Sequence, residues 1–100
     1  MAAITFYSCD EGYCGDPAGP LPLAGGQAAC GPGWDFGMVL LVEGDPLGPV
    51  VCNDTGLLGL YQVDRFFWES GPRDGSTPGT GWWWQKQVGS RARVKCIENC

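Results

Sequence analysis

Two aspartates stand next to apolar stretches, in a placement that could support acid–base chemistry. Asp54 ends the apolar run that begins at Val50, and Asp64 follows ten positions later between Val63 and Arg65-Phe66-Phe67. Apolar surroundings and a neighbouring carboxylate each raise the pKa of a carboxyl group. A raised pKa allows one carboxyl to act as a general acid near neutral pH. The alternative is structural: Asp54 anchors a turn and Asp64 caps a helical turn, because short polar side chains bond nearby backbone amides.

Four tryptophans are candidates for binding. Three are consecutive after a glycine-rich loop, and one precedes them: Trp34, Trp82, Trp83 and Trp84. In a strand, consecutive side chains point to opposite faces, so three cannot all enter one small core. We therefore expect at least one exposed tryptophan, as on surfaces that bind a substrate sugar, a protein partner or a second copy of the chain. The alternative is that they fill the core and cover one end of the fold.

Six cysteines indicate disulfides. The chain has no histidine, and the close cysteine pairs are too widely spaced for a four-cysteine zinc site, so we predict no metal. A short chain buries a limited core and gains from cross-links, which form outside the cytoplasm. We expect a secreted, periplasmic, cell-surface or virion protein with a local Cys9–Cys14 bridge. Fifteen pairings are open, and we expect the other four cysteines to tie the sheet and the C-terminus together: Cys30, Cys52, Cys96 and Cys100.

Charge and hydropathy exclude some partners. A net charge of −5 disfavours nucleic acid and anionic membrane surfaces, since both repel an acidic chain. No apolar stretch approaches the roughly 18–20 residues that span a bilayer. The basic residues Arg91, Arg93 and Lys95 alternate near the C-terminus, which is typical of the outer face of a last strand.

The distribution of turn residues predicts an all-β fold. The chain contains 17 glycines and 8 prolines, yet 44% of its residues are hydrophobic. Many short strands joined by tight turns predict a sandwich or barrel, and the length predicts one domain over residues 1–100. The expected strands cover residues 3–8, 27–30, 38–43, 50–53, 61–67 and 90–97, with a short strand-like segment at 82–86 and an optional helical turn at 63–68.

In order along the chain, several segments resemble the 3D domain, a family named for its aspartates. It is a double-psi β-barrel found in cell-wall lytic transglycosylases and is related to rare-lipoprotein-A-like, expansin and barwin domains. The resemblance implies a small six-stranded double-psi β-barrel with long loops and disulfides. The segments that carry it are Thr5-Phe6-Tyr7, Ala28-Ala29-Cys30-Gly31-Pro32, Asp35-Phe36-Gly37, Asp54-Thr55-Gly56-Leu57, Val63-Asp64-Arg65-Phe66-Phe67 and Gly89–Val94.

The family's activity implies a role for each aspartate. Asp64 matches the aspartate thought to be the acid/base of glycan cleavage in peptidoglycan, without any cofactor, and Asp54 would position Asp64 or the substrate. The chain departs from the family in having Cys30 where a third aspartate falls, Leu57 in place of a glycine, and no supporting lysine. Two alternatives remain: a non-catalytic module that binds glycan or protein, and a structural subunit of a virion or extracellular filament.

Overall fold

Seven strands, one α-helix and a short 3-10 helix at Cys9–Glu11 make up the regular structure of the computed structural model, which describes residues 1–100. The chain is predominantly β, as the turn pattern predicts. The expected strand at 90–97 is interrupted at Arg93, which gives seven strands. The elements are β1 (Ala2–Ser8), β2 (Gln27–Cys30), β3 (Val39–Val42), β4 (Val50–Asp54), β5 (Val63–Phe67), α1 (Gly81–Val88), β6 (Arg91–Ala92) and β7 (Val94–Glu98).

All seven strands belong to one mixed sheet, in the order β6-β1-β5-β2-β4-β3-β7. Two parallel pairs, β1 with β5 and β2 with β4, meet through the antiparallel contact of β2 with β5. Strand β3 pairs antiparallel with β4 and β7, and β6 pairs antiparallel with β1. The edge strands β6 and β7 are separated in the chain by Arg93 alone. The sheet therefore curls so that its two edge strands, β6 and β7, come next to each other in the chain.

The core lies on the inner face of this curled sheet. Alternate residues of each strand point inward, as the pleat requires. On β5, for example, Val63 and Phe67 are buried in the core while Asp64 lies on the opposite face. Removing these apolar side chains from water drives the sheet to curl around them. The core cluster comprises Ile4, Ala28, Cys30, Leu40, Val42, Val50, Cys52, Val63, Phe67, Trp84 and Ala92.

Two expectations about local structure are wrong. The tryptophan segment is not strand-like but forms helix α1. Successive side chains of a helix point about 100° apart. Trp84 therefore enters the core, while Trp82 packs edge-on against Phe6 at 5.0 Å between ring centroids. The helix starts at Gly81, where an added Cβ would overlap the Phe6 ring. The optional helical turn at residues 63–68 is strand β5, because its backbone is paired with β1 on one side and β2 on the other.

All six cysteines form disulfides. The local bridge Cys9–Cys14 is present as expected, and Cys30–Cys52 joins the neighbouring strands β2 and β4. The third bridge, Cys96–Cys100, is short, but it joins the C-terminal residue to β7 and so ties the C-terminus to the sheet as expected. Asn99 adopts a left-handed backbone conformation, with φ 59°, and this turn brings the last residue back to β7. Helix α1 lacks the length and apolar character needed to cross a bilayer.

Candidate functional site

The two aspartates flank one residue of the central strand β2. Ala29 pairs with Asp54 of β4 on one side and with Asp64 of β5 on the other. Residues opposite one another on neighbouring strands project to the same face of a sheet. The structure therefore brings Asp54 and Asp64 to one face, two strand spacings or about 10 Å apart at the backbone.

A β-bulge sets this alignment. Ala28 pairs with Cys52 and Ala29 with Asp54, so Asn53 is the extra residue of β4. In a regular strand Asp54 would share the core-facing side of Cys52, and the bulge turns it to the face of Asp64 instead.

Asn53 also holds the loop that precedes β2. Its buried side-chain amide accepts a hydrogen bond from the Leu21 backbone N–H at 3.0 Å and donates one to the Leu21 carbonyl at 2.8 Å. The Asn53 carbonyl accepts a bond from the Gly19 N–H at 2.8 Å, where an added Cβ would overlap Asn53. The bulge thus fixes both the orientation of Asp54 and the loop beside it.

A cleft of about 420 Å³ opens over the aspartates. Three carboxylates face it, from Glu11, Asp54 and Asp64, together with the tyrosine rings of Tyr7 and Tyr13. No basic side chain is among its lining residues, so the cleft, here called the aspartate cleft, is acidic. Its lining is Phe6, Tyr7, Glu11, Tyr13, Ala29, Asp54, Thr55, Gly56, Leu57, Leu58 and Asp64.

A smaller cleft of about 180 Å³ adjoins the first, because Asp54 and Thr55 line both. Its wall includes Trp34, whose indole N–H donates to the Tyr61 carbonyl at 3.1 Å, and the exposed ring of Phe36. Aromatic rings therefore line both of the clefts that meet at Asp54. Of the four candidate tryptophans, Trp34 alone lies near them.

None of the α1 tryptophans lines either cleft, although Trp82 contacts Phe6, which does. Trp84 is fully buried in the core, which leaves it no surface for a substrate, so the prediction that it binds one is wrong. Trp82 and Trp83 are half-buried, and Trp83 packs against the core. Their positions correspond to the alternative in which these rings fill the core and cover one end of the fold.

Burial disfavours the charged form of Asp64. The half-buried carboxyl accepts a hydrogen bond from the Thr5 hydroxyl at 2.8 Å. Desolvation raises the pKa of Asp64, the Thr5 bond partly opposes this, and the negative charge of Asp54 raises the pKa further. Asp64 lies within β5, so the expectation that it caps a helical turn is wrong.

A polar chain behind Asp64 fixes the position of its carboxyl. The Gln62 side-chain amide donates to the Thr5 hydroxyl oxygen at 2.9 Å and accepts from the Gly59 N–H at 2.9 Å. Thr5 can therefore point its own proton only toward Asp64. This orders the acid without adding a charge.

Asp54 combines a cleft position with an anchoring role. Its Oδ1 accepts hydrogen bonds from the Thr55 N–H at 2.8 Å and the Ala18 N–H at 3.1 Å. These bonds correspond to the turn anchor considered above. Its second oxygen, Oδ2, accepts no bond from the protein, so the carboxylate can still contact a ligand.

Tyr7 is a site residue that sequence reasoning did not select. Burial, followed by the charges of Asp54 and Asp64, raises its pKa well above the ordinary tyrosine value. The phenol therefore stays protonated and can donate a hydrogen bond into the cleft. Thr5 and Tyr7 are two residues apart on β1 and so lie on the same face of the strand; this spacing is the sequence feature that could have identified Tyr7. Glu11 and Tyr13 come from a long loop whose sequence gives no such signal.

Comparison with protein-family models, curated proteins and solved structures finds no match to this chain. No group of three or more acidic or cysteine side chains in the structure could hold a metal ion.

Proposed function

We propose that this chain is a glycan-cleaving domain of the lytic transglycosylase type, acting on peptidoglycan with Asp64 as acid and base. The observation that carries the proposal is the half-buried Asp64 carboxyl, with its raised pKa, facing a cleft beside Asp54. A raised pKa keeps a carboxyl protonated up to a higher pH, which favours its use as a general acid. Asp54 supplies the neighbouring negative charge.

The reaction balances with one acid/base residue. Protonated Asp64 donates its proton to the glycosidic oxygen between N-acetylmuramic acid and N-acetylglucosamine, and the bond from that oxygen to the anomeric carbon breaks. The sugar passes through an oxocarbenium-like state, which the acidic cleft stabilises electrostatically. The ionised Asp64 then takes the proton of the sugar's own 6-hydroxyl, whose oxygen closes on the anomeric carbon. No water enters, and Asp64 ends protonated as it began.

The proposal includes membership of the 3D-domain family and its closed barrel. The adjacency of β6 and β7 supports closure, since counting them as one strand broken at Arg93 gives the six strands of a double-psi barrel. The two parallel pairs joined through β2 and β5 also fit that topology. Three disulfides support an extracytoplasmic location, where peptidoglycan is found.

A glycan-binding module without catalysis is the second candidate. It is favoured by the bonds that engage Asp54 in anchoring the loop at Ala18. The exposed aromatic rings of Tyr13 and Phe36, in the two adjoining clefts, would then contact the sugar chain.

Zymography on purified cell wall separates the two candidates. We expect a clearing zone from the wild-type protein, none from Asp64→Asn, and an undiminished zone from the control Glu98→Gln, which changes an exposed carboxyl of β7. Retention on cell wall without clearing by the wild-type protein would support the binding module. Clearing that survives in Asp64→Asn would overturn the assignment of Asp64.

A further inference from the structure

A separate cleft of about 390 Å³ shares no lining residue with the two clefts at the aspartates. It is here called the Arg65 cleft. It lies at the end of β5 and is covered by the turn before β2 and the loop before α1. Its lining is Gly25, Gly26, Leu47, Arg65, Phe66, Phe67, Trp68, Glu69, Thr77, Pro78, Gly79 and Thr80.

Arg65 brings unsatisfied hydrogen-bond donors to this cleft. The residue is only 5% exposed, and its Nη1 donates to Asp45 Oδ2 at 2.9 Å and to the Gly48 carbonyl at 3.2 Å. Its Nε and Nη2 donate to no protein atom. Trp84 Nε1 is the one fully buried side-chain nitrogen or oxygen without a partner, so the free Arg65 nitrogens keep some exposed surface, and Arg65 lines this cleft. Largely buried donors of this kind gain most when a ligand oxygen accepts from them.

The charges around Arg65 favour a neutral ligand. The side chain of Asp45 is fully buried against the guanidinium and neutralises it. The carboxylate of Glu69 adds a negative charge at the cleft wall. An anionic ligand would meet this net negative charge, whereas an amide offers a carbonyl oxygen to Arg65 and an N–H to Glu69.

Trp68 provides a flat apolar surface beside these polar groups. Its side chain is 53% exposed and packs edge-on against Phe66 at 5.0 Å between centroids. Phe66 in turn contacts Tyr7 at 5.3 Å, and Tyr7 lines the aspartate cleft. A row of three rings thus connects the Arg65 cleft with the aspartate cleft.

We propose that the Arg65 cleft binds the acetamido group of an N-acetylated amino sugar, with Arg65 donating to the carbonyl and Trp68 packing against the sugar ring. The recognition of an amide follows from the groups of the cleft itself. The choice of a sugar over a peptide as its carrier rests on the proposed glycan-cleaving function, through the row of rings that leads to Asp64.

The test is an NMR titration of ¹⁵N-labelled protein that observes the Arg65 Nε–H and Trp68 indole N–H signals. The probes are tetra-N-acetylchitotetraose, the same tetrasaccharide without its acetyl groups, and N-acetylalanine methylamide. We expect both signals to shift most with the acetylated sugar and less with the peptide amide, which lacks a sugar ring, or with the deacetylated sugar, which lacks the amide. Trp68→Ala should weaken that binding by about three- to tenfold, the loss typical of one aromatic contact. Leu60→Ala removes an exposed apolar side chain outside the Arg65 cleft and should leave binding unchanged.

The outcomes separate this site from catalysis. Shifts at Arg65 and Trp68 that persist in an Asp64→Asn protein support the binding site even if the wild-type protein clears no cell wall. Shifts confined to Tyr7 and Asp64 would overturn the Arg65 site and leave the proposed function standing. Equal shifts with the deacetylated sugar, or stronger ones with the peptide amide, would overturn the assignment to an acetamido sugar.

Discussion

Replacing Asp54 with asparagine should make Asp64 easier to ionise. The two residues lie two strand spacings apart across Ala29, so their charges interact over about 10 Å. Coulomb's law gives about 0.4 kcal/mol at that distance in a water-like dielectric and about 1.7 kcal/mol at an effective dielectric constant near 20. Because Asp54 raises the pKa of Asp64, removing its charge should lower that pKa, and deprotonation of Asp64 should become more favourable by an energy in this range. An asparagine side chain keeps an oxygen for the Thr55 and Ala18 amides, so the loop should stay in place.

Side-chain ¹³C NMR of Asp64 across a pH titration measures this effect. Thr5→Val provides the opposite perturbation, since it removes a hydrogen bond that stabilises the ionised carboxyl, and it should raise the pKa of Asp64. The control Asp16→Asn removes an exposed carboxyl that lines neither cleft and should leave the titration unchanged. An unchanged or higher pKa in Asp54→Asn would refute the claim that the two carboxyls share one site.

Three predictions concern the scaffold, and urea unfolding checks each of them. Gly81→Ala should lower the free energy of unfolding by about 1–3 kcal/mol, the usual cost of overpacking, because the new Cβ meets the Phe6 ring; an unchanged midpoint would contradict this contact. Replacing both Cys30 and Cys52 with alanine opens a 22-residue loop and should lower the free energy of unfolding by about 3 kcal/mol. A decrease no greater than that caused by removing the short Cys96–Cys100 bridge would contradict this dependence on loop length. Asn53→Ala leaves loop amides unpaired and should cost about 1–3 kcal/mol, with faster hydrogen exchange in residues 18–22; unaltered exchange there would show that the loop is held by other contacts.

The sequence predicts best those parts of the fold in which side chains alternate between the two faces of a strand. Residues 27–30 form β2 with the predicted bounds. The strands β3 (Val39–Val42) and β4 (Val50–Asp54) begin and end within one residue of the predicted positions. The same alternation accounts for the position of Asp64 opposite the core face of its strand. Turn residues end these strands where glycine and proline occur, since such residues interrupt pairing.

The remaining features depend on tertiary contacts that no local pattern encodes. The bulge at Asn53 changes the face on which Asp54 lies, and it is specified by the pairing of β4 with β2. Consecutive tryptophans favour a strand by intrinsic preference, yet the need to fill the core with Trp84 places them on a helix. Tyr13 reaches the aspartate cleft from a loop after β1 that is held by the Cys9–Cys14 bridge and by a bond from the Tyr13 N–H to the Ser8 carbonyl.

The products released from purified peptidoglycan test the central claim most directly. Mass spectrometry of fragments released by the wild-type protein should show 1,6-anhydro ends on the muramic acid, because the sugar's own hydroxyl and not water closes on the anomeric carbon. Asp64→Asn should release none, while Glu98→Gln should release as many as the wild type. Fragments with ordinary reducing ends, or anhydro fragments released equally by Asp64→Asn, would contradict the role given to Asp64.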